Sequence, residues 1–220
     1  MFSASILSFL KQLSPPPSIP KSIAVMNPYQ DEYVFKLCQQ FYEKYYNDSK
    51  TRTLMLGINP GRLGSGITGI SFTDPVRLEI ECGIKNTLDK KSELSADFIY
   101  RMISAYGGLK KFYQRYFISA LSPLGFTKGG KNINYYDDPK LEKSILPFII
   151  KSVNQLKDLG VSGEQCFCIG EGKNYKFLKG LNQEHQWFKE ITPLAHPRFI
   201  MQYKRKQLES YIDRWCNLLQ

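Results

Sequence analysis

Apolar runs and apolar stripes alternate along most of this chain. Runs at 53–58, 116–121, 165–170 and 188–195 have the length and continuity of strands buried on both faces. Between them, apolar positions recur at helical spacing. Tyr33, Val34, Leu37, Phe41 and Tyr45 predict a helix over 29–47. Leu141, Ile145, Phe148, Ile149 and Leu156 predict one over 139–159, and Leu208, Tyr211, Ile212, Trp215 and Leu219 predict a last helix near 201–217. Further helices are expected over 95–106, 108–115 and 172–181, and Asp74-Pro75 has the N-cap and first-turn residues that start another. A short helix over 3–13 is stopped by Ser14-Pro15-Pro16-Pro17, a stiff linker. Strand–helix alternation predicts a three-layer α/β/α domain over 29–220 around a mainly parallel four-stranded sheet, preceded by a helical and proline-rich extension over 1–28.

The first strand empties into a loop, 57–72, with five glycines, beginning Gly57-Ile58-Asn59-Pro60-Gly61. Glycine there lets backbone approach something flat or charged closely. A second loop, His196-Pro197-Arg198, follows the last strand-like run. Two loops at strand ends make one crevice in an open α/β sheet. The segment 127–132 (Thr-Lys-Gly-Gly-Lys-Asn) reads as a basic, flexible loop.

The bulk composition narrows the partner. The 220 residues carry 30 Lys and Arg against 20 Asp and Glu, a net charge of +10, which favours a polyanion such as nucleic acid. Fourteen Tyr and fourteen Phe offer flat surfaces for bases, beyond those that fill the core. Five cysteines without framework spacing point to a reducing compartment and a cytoplasmic protein. Cys166 and Cys168 lie in one strand and point to opposite faces, a poor arrangement for a shared metal. No apolar stretch approaches the length of a membrane span, and Met1 to Leu13 lacks the basic start and cleavage site of a signal peptide.

The G-x-N-P-G of 57–61, the Thr68-Gly69 and Phe72 that follow, and the later His196-Pro197 resemble the two motifs of the uracil-DNA glycosylase superfamily. The nearest resemblance is to the single-strand-selective monofunctional type in a bacterial variant form, over about 30–218. A middle motif falls at Leu121-Ser122-Pro123-Leu124, with Gly130-Lys131-Asn132 after it. The resemblance implies a monomeric enzyme of base excision repair. It would flip a damaged base out of single- or double-stranded DNA and hydrolyse its N-glycosidic bond, leaving an abasic site.

On that resemblance, Asn59 orients the attacking water and His196 donates to the base oxygen on which charge builds. Phe72 stacks on the base. Gly57, Ile58, Pro60, Gly61 and Gly66 bring backbone to the base or its phosphate. Asp74 is a helix cap rather than a base. Arg198, Phe199 and Met201 would fill the gap in the duplex, with Arg62, Lys131, Lys204, Arg205 and Lys206 on phosphates.

The chain departs from the family where Ala120 stands in place of an Asn that reads the uracil edge. Ser119, Ser122 and Pro123 lie nearby, and Asn132 or Asn134 are other polar groups within reach. A hydroxyl cannot supply the paired donor and acceptor of a carboxamide, which opens xanthine, hypoxanthine or oxidised uracils as substrates beside uracil. The absence of lysine from the first motif and beside His196 argues against a Schiff-base lyase step, and no metal or cofactor is expected. Two other readings stay open: a non-catalytic nucleic-acid-binding protein on a degenerate glycosylase scaffold, and a nucleotide enzyme using Gly61 to Gly69 as a phosphate loop. The loop lacks the G-x-G-x-x-G or Gly-Lys-Ser/Thr pattern of the latter.

Overall fold

The computed structural model describes residues 1–220. Four strands form the central sheet: β2 (Thr53–Gly57), β3 (Tyr116–Ala120), β6 (Gln165–Ile169) and β7 (Glu190–Leu194). All neighbours are parallel, in the order β3-β2-β6-β7. Leu54, Met55 and Leu56 of β2 are completely buried, as a strand covered on both faces must be. The chain leaves β2 toward one edge of the sheet and β6 toward the other, so a crevice opens between their C-terminal ends.

Helices pack on the sheet as the periodicity predicts. They are α2 (Glu32–Tyr46), α5 (Leu94–Tyr106), α6 (Leu109–Arg115), α7 (Pro139–Asp158), α8 (Lys173–His185) and α10 (Leu208–Leu218), with short turns α3 (Ser65–Thr68) within the glycine loop and α4 (Pro75–Ile80) after it. On α7, Leu141, Ile145, Ile149 and Leu156 are buried, and its N-cap Asp138 accepts from the Lys140 and Leu141 N–H groups. No helix is long and apolar enough to cross a membrane.

Three features depart from the sequence reading. The segment 127–132 is not a flexible loop but the tip of a hairpin, β4 (Gly125–Lys128) and β5 (Lys131–Ile133). Its two-residue turn, Gly129-Gly130, has φ of +56° and +72°, the left-handed pair that matches the twist of an antiparallel ribbon. A short strand, β1 (Ile23–Met26), pairs antiparallel with β4 to make a second, three-stranded sheet. This sheet presses onto the glycine loop at Gly125, where an added Cβ would lie 2.5 Å from the Pro60 carbonyl oxygen. Finally, an additional helix, α9 (Pro197–Tyr203), starts directly at His196 and is separated from α10 by a tight turn.

The N-terminal helix α1 (Phe2–Lys11) lies against α2 and joins the same core. Ile6 is completely buried, and the Phe2 ring sits edge-on to Phe117 of β3 at 5.4 Å. Arg52, immediately before β2, fixes this corner. Its buried guanidinium lies 4.9 Å from the Phe2 and Tyr46 rings and donates to the Tyr113 carbonyl and to both oxygens of Asp48. Such a charge is tolerated in a core because each of its three nitrogens is engaged. Because α1 fills part of this core, Ile6→Ala should cost about 2–5 kcal/mol in chemical denaturation, whereas Ser8→Ala on the exposed face should stay within about 0.5 kcal/mol.

Candidate functional site

The C-terminal ends of all four central strands open into one cleft of ≈ 580 Å³. The glycine loop after β2 forms its floor. Gly57 leaves no room for a side chain, because an added Cβ would sit 3.0 Å from the Phe72 ring. Phe72 itself has φ +50°, a left-handed conformation unfavourable for a bulky residue. Its neighbours hold it there. Thr68 donates from its hydroxyl to the Thr73 carbonyl at 2.6 Å, the Thr73 hydroxyl meets the Tyr100 hydroxyl at 2.9 Å, and the fully buried Asp74 caps α4 through the Arg77 N–H. Asp74 is thus engaged as a cap, its second oxygen accepting from the Glu93 N–H at 2.8 Å.

Asn59 projects from the same loop. Its amide NH₂ donates to the Pro60 and Ile133 carbonyls at 3.3 Å each, and its carbonyl oxygen accepts from the Tyr135 N–H at 3.0 Å. Those partners fix the orientation of the amide and leave its oxygen one lone pair. The facing wall is α9. His196 is its N-cap, with Nδ1 accepting from the Arg198 N–H at 3.1 Å. A neutral imidazole so engaged carries its proton on Nε2. Burial, and then the nearby Arg198 charge, hold the His196 pKa down to about 4. Its ring lies 6.1 Å from that of Phe72. The turn after β6 completes the wall: Gly170 has φ +123°, and a Cβ added there would lie within 4 Å of both Asn174 and the His196 ring.

The sequence motif pair is therefore one site. The model of the uracil DNA glycosylase superfamily matches residues 43–220. The chain belongs to the uracil DNA glycosylase superfamily. Among solved structures it is similar to SMUG2 of Pedobacter heparinus, with a TM-score of 0.95 and 45% identity over 99% of this chain and 96% of that one. No curated protein matches it.

Within this glycosylase scaffold, Gly57, Ile58, Asn59, Pro60, Gly61, Phe72, Ser119, Arg198 and Phe199 line the cleft with His196. Other residues singled out in the sequence stand elsewhere. The Gly66 N–H bonds the Gly61 carbonyl at 2.9 Å, and a Cβ on Gly66 would collide with that oxygen, so Gly66 folds the loop from behind. Ser122 is fully buried and donates to the Leu124 carbonyl, and Pro123 is buried beside it; neither faces the cleft. Met201 is 3% exposed, packed under α9 with Ile200, and cannot reach a duplex without unfolding that helix.

Arg62, Lys131 and Arg198 share an adjoining groove of ≈ 360 Å³. Lys204, Arg205 and Lys206 lie beyond α9 in the turn to α10, outside both hollows. The structure also brings in residues the motifs did not mark. Glu93, Asn174, Gln202 and Tyr203 line the cleft, as do Asn132 and Asn134. Tyr203, 72% exposed, stands 5.7 Å from Phe199 across one turn of α9. No three His, Cys, Asp or Glu side chains come together in a way that could hold a metal.

The depressed pKa makes His196 a neutral donor throughout the physiological range. In a nitrogen-correlated NMR titration its imidazole should titrate near pH 4 with the neutral proton on Nε2. Because the unfolded ring takes up a proton near pH 6.5 and the folded one does not, His196 lowers stability as pH falls from about 6.5 toward 4. A His196→Gln variant should lose stability less steeply over that window.

Proposed function

We propose that this protein is a monofunctional DNA glycosylase that flips a deaminated base, uracil first among them, into the cleft and hydrolyses its N-glycosidic bond. One observation carries this reading. A neutral N–H donor, a half-buried aromatic ring and an amide oxygen with a spare lone pair face a single hollow at the switch point of the sheet. Membership of the family, and the likeness to a solved SMUG2, support the reaction class.

The chemistry divides among these groups. Phe72, locked before substrate arrives, gives the flipped base a stacking surface worth about 1–3 kcal/mol. As the C1′–N bond breaks, negative charge moves onto the base, and the Nε2–H of His196 is placed to stabilise it. A neutral donor suits this task, since a permanent cation would have to be desolvated before the charge existed. Such preorganised donors are worth roughly 10²–10³ in rate. The free lone pair of Asn59 orients the attacking water, an entropic contribution that needs no basicity.

Base-edge reading falls to a different residue from the usual one, because Ala120 stands at that point of the cleft wall. Four carboxamides other than Asn59 line the cleft. Asn174 is saturated by Tyr135, Cys168 and Ile169, and the Asn132 oxygen accepts from the Arg62 N–H. Gln202 is exposed at the mouth. Asn134 is half-buried, with no protein partner for its side-chain amide, and its flanking residues 133 and 135 are both bonded to Asn59. We assign base-edge reading to Asn134, whose amide offers a donor and an acceptor together. Phe199 and Tyr203 are the exposed aromatic pair that would occupy the gap left in the stack, and Arg62, Lys131 and Arg198 would grip phosphates.

Oligonucleotides carrying a single uracil, hypoxanthine or xanthine, followed by alkali cleavage, test this directly. Asn59→Ala and His196→Ala should each slow single-turnover release by about 10²–10³. Asn134→Ala should lose about 1–3 kcal/mol of discrimination between uracil and its competitors, with Phe72-dependent stacking intact. No release from any of the three bases by the unaltered protein, with DNA binding preserved, would favour the non-catalytic binding protein to which the Ala120 substitution points.

A further inference from the structure

We propose that Glu93 is a catalytic residue, the group that takes the proton from the attacking water. The proposal rests on the glycosylase reading and adds a residue that neither the first motif nor the His-Pro motif contains.

Asn59 can hold a water but cannot accept its proton, because an amide is too weak a base. The cleft offers few alternatives. The His196 Nδ1 lone pair is taken by the Arg198 N–H, and its other nitrogen already carries a proton. Glu171 is exposed on the far rim, 3.7 Å from the Arg214 guanidinium. The Tyr136 hydroxyl, pushed up to about 12 by burial, keeps its proton at neutral pH, and Lys173 is an exposed basic side chain rather than a carboxylate. Glu93 is the remaining carboxylate.

Its placement is unusual for a merely structural acid. It stands at the N-terminus of α5 on the wall shared by the cleft and the basic groove. Its side chain lies on the glycine loop: a Cβ on Gly64 would come within 2.5 Å of Oε2, and one on Gly61 within 3.9 Å of Oε1. Glycine at 64 is what lets the carboxylate rest there. The Glu93 N–H is clamped by the buried Asp74, which caps the helix that begins three residues after Phe72. The acid is thus held to the same short segment that holds the base platform. It makes no ion pair and does not cap its own helix; a hydroxyl, that of Ser95, is its polar neighbour.

Burial raises its pKa, and the negative charge of Asp74 adds to this, while Ser95 and Arg198 pull the other way. Arg62 and Lys131 face it across the groove. A half-buried, unpaired carboxylate costs stability, and such groups concentrate where chemistry needs them.

The step balances without a cofactor. The electron pair of the C1′–N bond leaves with the base, the water oxygen bonds C1′, and the water proton passes to a Glu93 oxygen and from there to solvent.

The test is single-turnover release of uracil from an oligonucleotide at saturating protein, from pH 5 to 9, for wild type, Glu93→Gln and Glu93→Asp. Binding is measured in parallel with an oligonucleotide carrying 2′-fluorodeoxyuridine, whose glycosidic bond resists hydrolysis. Wild-type rate should rise with pH through the carboxyl pKa and then level off. Glu93→Gln should fall by about 10²-fold or more at the plateau and lose that rise, with binding changed less than about threefold. Glu93→Asp should keep the rise at an intermediate rate. A Glu93→Gln protein that keeps the wild-type rate and profile, or loses rate only in proportion to lost binding, overturns the assignment while the glycosylase reading stands. A wild type that releases none of uracil, hypoxanthine and xanthine overturns that reading and this one with it.

Discussion

The site depends on three hydrogen bonds made by one amide. Asn59 faces residues 133 and 135 as a strand would, giving its N–H bonds to one carbonyl and accepting from the next free N–H. In this way it joins the loop after the central sheet to the end of the second sheet and closes the cleft between them. The same contacts satisfy backbone groups of 133 and 135 that end β5 without a further strand partner. They also explain why an amide stands here rather than a carboxylate. An Asp would turn an acceptor toward the Pro60 and Ile133 carbonyls, which need a donor. The geometry that builds the cleft therefore excludes a base at its most obvious position, and on the proposed function proton transfer would fall to another residue.

That exclusion shapes the electrostatics around the cleft. The protein carries a net charge of +10, and Arg62, Lys131 and Arg198 gather at the groove beside the cleft, where a DNA backbone would run. Deeper in, the groups are neutral or negative, since the cations that line the cleft, Arg198 and Lys173, are exposed at its rim. Burial and the Arg198 charge keep His196 unprotonated. A phosphate approaching Arg198 would soften the second cause but leave the first, so the histidine stays a neutral donor as the complex forms. The charges thus sort by depth, with cations at the rim and neutral or acidic groups within.

The parts of the molecule legible in the sequence were those fixed by short-range pattern. The four central strands are continuous apolar runs because both faces are covered, and the glycine motif follows the first of them directly. What escaped depends on distant pairing. Strand β1 has four residues, and its partner lies a hundred positions further along the chain. The hairpin tip carries the Gly-Gly signal, but its strands are short and polar, so flexibility was the simpler inference. Helix α9 was hidden by its cap, since His is an uncommon N-cap, and Lys204 to Gln207 interrupts the pattern toward α10. With that helix in place the residues after His196 sort themselves. Pro197, Ile200 and Met201 form the buried face at helical spacing, while Phe199 and Tyr203, four apart, form the exposed one. Glu93 follows Lys90-Lys91-Ser92 in a polar stretch, and only the fold brings it onto the glycine loop.

Phe72 shows how rigidity is built where the chemistry needs it. A phenylalanine in the left-handed region costs of order 1–3 kcal/mol and persists only when its surroundings over-determine it. Here they do: the Thr68 hydroxyl, the Thr73–Tyr100 pair and the Asp74 cap fix the residues on either side. Asp74 then reaches across to the Glu93 N–H, so platform and carboxylate are set by one buried side chain. Relaxing Phe72 would swing its ring off Gly57, whose missing Cβ is the space the ring occupies. The strain is therefore held in the folded protein itself, and on the proposed function a flipped base would meet a surface already fixed in place.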